Sequence, residues 1–210
     1  MNTFLESQNW RYATKKFDAS KKISNDDLNI LKEAIRLSAS SYGLQLYKVF
    51  IIENPALRAQ LQPSAWGQSQ ITEASHLFVF ANQTTVGSED IEGYLKTAEH
   101  LRSLPEGALN GYGDFMKGNL LNLADDSKKV WTAKQTYLAL ANLMNAAAAL
   151  KIDTTPMEGF DPIQFNTILG LDKLNLNAAL VAAVGYRHEE DETQHYIKVR
   201  KATDDLFITL

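Results

Sequence analysis

The chain has 210 residues, no cysteine and a formal net charge of −4, from 21 basic and 25 acidic side chains. Its length predicts one elaborated domain, residues 1–210, large enough to bury a full core without cross-links. Without cysteine, disulfides, zinc ribbons, iron–sulfur clusters and thiol nucleophiles are excluded. The mild acidity disfavours a nucleic-acid surface, because phosphate backbones require clustered Lys and Arg.

Hydropathy patterning predicts neither a membrane span nor a secretion signal. The best apolar run, Asn177–Gly185, is far shorter than the roughly 18 residues that a spanning helix needs. The segment Met1–Trp10 lacks a basic region followed by an apolar one. We therefore expect a cytoplasmic protein with no nucleic-acid partner and no membrane partner.

Capping residues and hydrophobic periodicity predict regular elements in the first half of the chain. Ser24 is a helix N-cap, and Asn54 with Pro55 is typical of another helix start. In chain order the predictions are a helix to about Ser38, a strand at 47–53, a short helix to about Gln62, a buried strand at 75–82 and a helix from Ser88 to about Arg102.

The second half contains the longest predicted helix, from about Asp126 to Leu150. Its predicted buried stripe comprises Val130, Ala133, Tyr137, Leu138, Ala141, Met144 and Ala148. Four glycines favour a loop over 105–118. The remaining predictions are a strand-like stretch at 152–155, a helix from Asp161 to Gly170, a central strand at 178–186 and an edge strand at 205–210. Together these elements favour an α+β sandwich, a small central mixed β-sheet surrounded by helices.

Two basic pairs lie near opposite ends of the chain, Arg11 with Lys15 and Lys198 with Arg200. If the two pairs converge they can hold a phosphate, because Arg offers a bidentate fork and Lys a point charge. Each pair taken alone is more typical of a solvated surface.

Other polar segments are candidates for contacts to a flat ligand. Ser40 and Ser41 offer hydroxyl groups after a helix end, and Gly159 permits a close backbone approach. Each also fits an ordinary turn. No histidine pair has metal-ligand spacing, and no nucleophile elbow is present. This lack of an obvious catalytic side chain favours chemistry carried out by a cofactor.

Taken in order, these segments resemble the FMN-dependent nitroreductase family, which includes oxygen-insensitive NAD(P)H nitroreductases and dihydropteridine reductase-like enzymes. No single segment is specific, but the ordered set is. The segments are 11–18, 38–41 with Gln45, 66–70, 74–76, 131–137, 156–161 and 198–200.

The resemblance implies an intertwined α+β homodimer with two FMN sites at the subunit interface, and residues 188–210 extending onto the partner. Lys15 and Gln70 would lie near the pyrimidine edge of the flavin, and Glu158 with Gly159 near its N5 atom. The cofactor-binding residues it implies are Arg11, Tyr12, Ala13, Lys15, Ala39, Ser40, Ser41, Gly43, Gly67, Gln70, Pro156, Met157, Glu158, Gly159, Lys198 and Arg200.

The resemblance also implies the reaction: hydride transfer from NADH or NADPH to flavin N5, then reduction of a quinone or nitroaromatic compound in a ping-pong cycle. The alternatives are a dedicated pterin or enone reductase with incidental nitro activity, and a non-catalytic FMN-binding protein. The sequence departs from the common family pattern at Tyr12, Ala13, Gly43, Leu46 and Gln70.

Overall fold

A computed structural model describes residues 2–210 and contains nine α-helices and four β-strands in that range. The helices are α1 (Thr3–Trp10), α2 (Asn25–Arg36), α3 (Pro55–Leu61), α4 (Gln70–Glu73), α5 (Ser88–Leu101), α6 (Asn110–Leu120), α7 (Asp125–Ala149), α8 (Pro162–Leu169) and α9 (Thr203–Leu206). The strands are β1 (Tyr47–Ile52), β2 (His76–Gln83), β3 (Asp153–Met157) and β4 (Leu176–Gly185).

The four strands form one sheet in the order β1-β2-β4-β3, and every neighbouring pair is antiparallel. The predicted α+β class is confirmed, but the prediction of a mixed sheet is wrong for the strands described. The only parallel pairing among residues 2–210 is an isolated bridge between Ala13 and Thr154. This bridge brings the N-terminal segment alongside the outer strand β3.

The core lies on both faces of the sheet, since successive side chains of β2 point in opposite directions. Leu77 and Val79 pack with residues of α3, α4 and α8, whereas Phe78 and Phe80 pack with α2 and α7. All four side chains are fully buried. The sheet is therefore covered by helices on both sides, as an α+β sandwich requires.

The predicted helix ends at Ser24, Asn54 and Gly170 are confirmed. The Ser24 hydroxyl accepts the Asp27 amide at 3.1 Å, and the Asn54 side chain accepts the Leu57 amide at 3.1 Å. Gly170 ends α8 in the left-handed region, at φ 66°, where glycine carries no steric penalty.

The predicted buried stripe of α7 is largely wrong. Val130, Tyr137 and Leu138 are about half exposed, while Ala133, Ala141 and Met144 are partly buried and Ala148 is buried. The helix buries a different set: Thr132, Gln135, Thr136, Ala139, Leu140, Leu143, Ala147 and Ala148. The reason is that α7 is apolar on two faces, so periodicity alone does not tell which one meets the sheet.

Two further predictions are wrong. Much of the predicted loop at 105–118 is the helix α6, which buries Met116 and Leu120 in a cluster with Leu95. The predicted edge strand at 205–210 is absent from the described chain, where α9 ends at Leu206 and the following residues are exposed and irregular. A strand needs a neighbour to pair with, and this tail pairs with none of residues 2–210.

None of the helices described within residues 2–210 combines the length and the apolar character needed to cross a membrane.

Candidate active site

The two basic segments of the sequence meet at one cavity of about 400 Å³. Arg11 reaches it from the end of α1, and Lys198 and Arg200 reach it from the C-terminal segment. The other residues that line it are Asn9, Trp10, Tyr12, Ala13, Pro156, Thr193, Gln194, Tyr196 and Ile197. The predicted convergence of the pairs is thus seen for three cations, whereas Lys15 does not line the cavity.

The cavity is strongly electropositive. Burial, followed by repulsion from Arg200, lowers the pKa of Arg11. Burial also lowers the pKa of Lys198, with further contributions from Arg11 and Arg200. Within residues 2–210 none of these three cations forms a salt bridge with a carboxylate. An anion entering the cavity would relieve their mutual repulsion.

Groups at the C-terminal end of α1 hold the two more buried cations in place. Lys198 Nζ donates to the carbonyl oxygen of Gln8 and, at 2.5 Å, to that of Arg11. Arg11 Nε donates to the Gln8 side chain at 2.9 Å. The carbonyl oxygens at the end of α1 suit a cation, because the C-terminal end of a helix carries partial negative charge.

An apolar cavity of about 410 Å³ adjoins the electropositive one, and Pro156 lines both. Its other lining residues are Tyr137, Leu140, Met144, Met157, Glu158 and Leu180. The Tyr137 hydroxyl donates to Glu158 Oε1 at 2.7 Å, and this bond raises the pKa of Tyr137. The two cavities together can take a ligand with an anionic end and a flat apolar body.

Gly159 permits a close approach between two loops at the end of β3. A Cβ atom on Gly159 would lie 2.8 Å from Trp66 Cζ3, so a larger residue would displace the indole ring. Gln68 Nε2 donates to the Gly159 carbonyl oxygen at 2.8 Å. The Gly159 N–H has no hydrogen-bond acceptor among the described residues, which leaves it available to a ligand.

A buried carboxylate, Asp191, ties the N-terminal segment to the C-terminal one. Its Oδ2 accepts the Tyr12 hydroxyl at 3.0 Å and the backbone amides of Lys15 and Lys16 at 2.8 and 3.3 Å. Burial raises the pKa of Asp191, but hydrogen bonds from Thr193 and from these donors outweigh it and hold the pKa below its usual value. Burial and the Asp191 hydrogen bond raise the pKa of Tyr12 to about 12.

Several predicted residues lie outside both cavities. Lys15 is exposed and is held by its backbone rather than by its side chain. Gln70 is buried at the start of α4, and Gly67, in the loop that precedes α4, adopts φ 70°. Ala39, Ser40, Ser41 and Gly43 lie between α2 and β1, where the Ser41 amide donates to Gln135 Oε1 at 2.8 Å.

Three residues near the site were not identified from the sequence. Tyr137 was assigned to the buried stripe of α7, yet its hydroxyl bonds to Glu158. Asp191 and Arg187 lie in a polar segment with no recognisable motif. Their partners are distant in the sequence, so no local signal marks them.

Residues 2–210 contain no cluster of His, Asp or Glu side chains that could hold a metal ion. His76 is buried at the start of β2, where its Nδ1 lies 2.9 Å from Ser75 Oγ.

Comparisons with known proteins place the chain in a family. The Nitroreductase family model matches residues 9–186. The Staphylococcus saprophyticus protein named "Putative NAD(P)H nitroreductase" is 36% identical over 97% of this chain and 95% of its own length. The "Major NAD(P)H-flavin oxidoreductase" of Aliivibrio fischeri is 35% identical over 95% of each chain.

A solved structure supports the fold. The structure of a "putative nitroreductase in complex with FMN" from Exiguobacterium sibiricum matches with a TM-score of 0.84 at 20% identity, and covers 99% of this chain and 97% of that one. The family model and the relatives that are 35–36% identical show that the chain belongs to the nitroreductase family, as the ordered sequence segments indicated.

Proposed function

We propose that this protein is an FMN-dependent oxidoreductase that transfers reducing equivalents from NADH or NADPH to quinones or nitroaromatic compounds. The observation that carries the proposal is the pair of adjoining cavities, one electropositive and one apolar, which share Pro156. Flavin mononucleotide has the matching shape, with a phosphate at one end and a flat ring system at the other. The names of relatives that match nearly the whole chain support the same activity.

Arg11, Lys198 and Arg200 would hold the FMN phosphate. Charge-assisted hydrogen bonds to a phosphate are stronger than neutral ones, and Arg offers two parallel donors. A dianionic phosphate would also balance the cations that repel one another around the cavity. Tyr12 and Ala13 line the same cavity and would contact the chain that links the phosphate to the ring.

Pro156, Met157 and Glu158 would lie against the ring system, and the Gly159 N–H would donate a hydrogen bond to it. Bound FMN would supply the redox chemistry that links NADH or NADPH to the second substrate in the proposed ping-pong cycle. The protein then needs chiefly to orient the reactants and to tune the flavin. Lys15 and Gln70 remain proposed contacts near the pyrimidine edge.

We further propose that the active form is an intertwined homodimer. Along the C-terminal segment, Ile197, Val199 and Ile208 are more than four-fifths exposed, and such a surface is costly to leave in water. Residues 188–210 of each single-domain chain would cover the partner, where the half-exposed face of α7 offers an apolar surface. Ala39, Ser40, Ser41 and Gly43 would then reach the partner's flavin.

The proposal is tested by reconstituting the purified protein with FMN and measuring turnover with NADH and with NADPH. A panel of quinone, nitroaromatic, pterin and enone acceptors separates a broad reductase from a dedicated one. Rapid turnover of quinones or nitroaromatic compounds would support the proposal. Strong preference for a pterin or an enone would replace the substrate assignment, and FMN binding without turnover would favour a non-catalytic protein. A cytoplasmic location stays a prediction.

A further inference from the structure

Arg187 lies between two aromatic rings at the end of α1. Its guanidinium carbon is 4.3 Å from the centroid of the Trp10 ring and 4.6 Å from that of Tyr12. These two residues flank Arg11 in the sequence. A planar guanidinium can stack on an aromatic ring with each of its faces, so Arg187 fixes the residues on both sides of Arg11.

Asp153 anchors this guanidinium from the sheet side. Asp153 Oδ1 accepts Arg187 Nε at 2.9 Å and Nη2 at 2.6 Å, and its Oδ2 accepts the Arg187 backbone N–H at 2.9 Å. Asp153 is only 3% exposed. The charge of Arg187 is therefore paired, unlike the charges of the cations that line the electropositive cavity, and Arg187 does not line that cavity.

The Tyr12 ring is held at a second point. Its hydroxyl donates to Asp191 Oδ2 at 3.0 Å, and the same oxygen accepts the Lys15 amide at 2.8 Å. Tyr12 is thus fixed on one ring face by Arg187 and at its hydroxyl by Asp191. Because both neighbours of Arg11 are held, the backbone of Arg11 has little freedom to move away from the cavity.

We propose that Arg187 is a positioning residue for anion binding: it holds Trp10 and Tyr12 so that Arg11 meets the phosphate of the bound cofactor. The inference rests on the proposed function, since it concerns the same cavity. Lysine cannot replace Arg187 in this role, because one ammonium group cannot bond twice to Asp153 and also stack flat on two rings.

The test is the Arg187→Lys variant of the full chain, titrated with FMN and with riboflavin, which lacks the phosphate. We expect the affinity for FMN to fall about 10- to 100-fold, the loss typical of a charge-assisted hydrogen bond. The affinity for riboflavin should change by less than about 3-fold, because the ring contacts are retained. A merely structural role would weaken both ligands equally.

The matched control is Arg36→Lys. Arg36 also gives two bonds to one carboxylate, at 2.7 and 2.6 Å to Glu33, but on the exposed face of α2. This variant should bind both ligands as the wild type does. If Arg187→Lys does not fold, Trp10→Phe and Trp10→Leu replace it, since phenylalanine keeps a ring face for the guanidinium and leucine does not.

Equal losses for FMN and riboflavin, or no loss for either, would overturn the inference. So would equal FMN-to-riboflavin ratios in Trp10→Phe and Trp10→Leu. The proposed function fails in a different way: wild-type protein would then show no preference for FMN over riboflavin. A clear wild-type preference that Arg187→Lys leaves unchanged would refute the role of Arg187 alone.

Discussion

Removing the charge of Asp153 should destabilise the protein strongly. In the wild type, each Asp153 carboxylate oxygen accepts hydrogen bonds from Arg187, one from the backbone N–H and the other from the guanidinium. In Asp153→Asn, an amide NH₂ replaces one of these two oxygens. Whichever way the amide is oriented, two donors face each other in a site where residue 153 is 3% exposed. The guanidinium also loses its only carboxylate partner among the described residues.

The size of the effect follows from burial. Breaking a buried ion pair by removing one partner costs about 3–5 kcal/mol, and the lower end applies because the Arg187 side chain is 21% exposed. For a chain of this length a loss of about 3 kcal/mol corresponds to a fall in Tm of roughly 6–12 °C. Urea titration and thermal melting of wild type and variant measure both quantities.

Glu33→Gln is the matched comparison, because Glu33 also accepts two bonds from one arginine, Arg36. That pair is half exposed or more on both sides, so solvent screens it and its loss should destabilise the protein far less than the loss of the buried pair. If Asp153→Asn and Glu33→Gln destabilise the protein by similar amounts, the argument from burial is wrong.

Three further predictions concern the site, pH and assembly. Tyr137→Phe should leave Tm nearly unchanged but change kcat/KM several-fold, because it frees the Glu158 carboxylate beside the apolar cavity; unchanged steady-state kinetics would remove that role. Burial lowers the pKa of His76 below its usual 6.5, so the unfolded chain binds the proton more readily and stability should fall as pH drops through the region below about 6.5. In urea titrations at several pH values, the free energy of unfolding of His76→Gln should depend less on pH in this region than that of the wild type. An equal pH dependence in the two proteins would show that His76 is not the responsible group. Deleting residues 203–210 should shift light-scattering mass from dimer toward monomer, and an intact dimer would show that this tail is dispensable.

The fold was largely predictable from local signals. Ser24, Asn54 and Gly170 end or begin helices where their chemistry predicts. The apolar run of β2 was expected to be buried on both faces, and it is. These predictions succeed because capping and burial depend on residues that are close in the sequence.

The failures depend on tertiary contacts. The glycines of α6 were interpreted as a loop, but Gly113 lets the helix approach α5 closely: a Cβ there would lie 2.5 Å from Leu95 Cδ1. The apolar face of α7 that carries Val130 and Leu138 is half exposed in the single chain. Periodicity identifies an apolar face but does not tell whether the sheet or another molecule covers it.

The candidate site was predictable in part from charged residues in the sequence. The basic pairs near Arg11 and Lys198 are visible in the sequence, and three of the four cations meet at one cavity. Arg187 and Asp191 escaped detection because their partners lie far away along the chain. Contacts at such a distance in the sequence are fixed by the fold and leave no spacing to recognise.

The most direct test of the central claim is anaerobic reduction of the purified protein. The protein, reconstituted with FMN and freed of unbound flavin, is mixed with NADH or NADPH in a stopped-flow spectrometer, then with a quinone. We predict loss of the flavin absorbance with at least one nicotinamide and its return with the quinone. Protein that retains no FMN, or bound FMN that neither nicotinamide bleaches, would contradict the account.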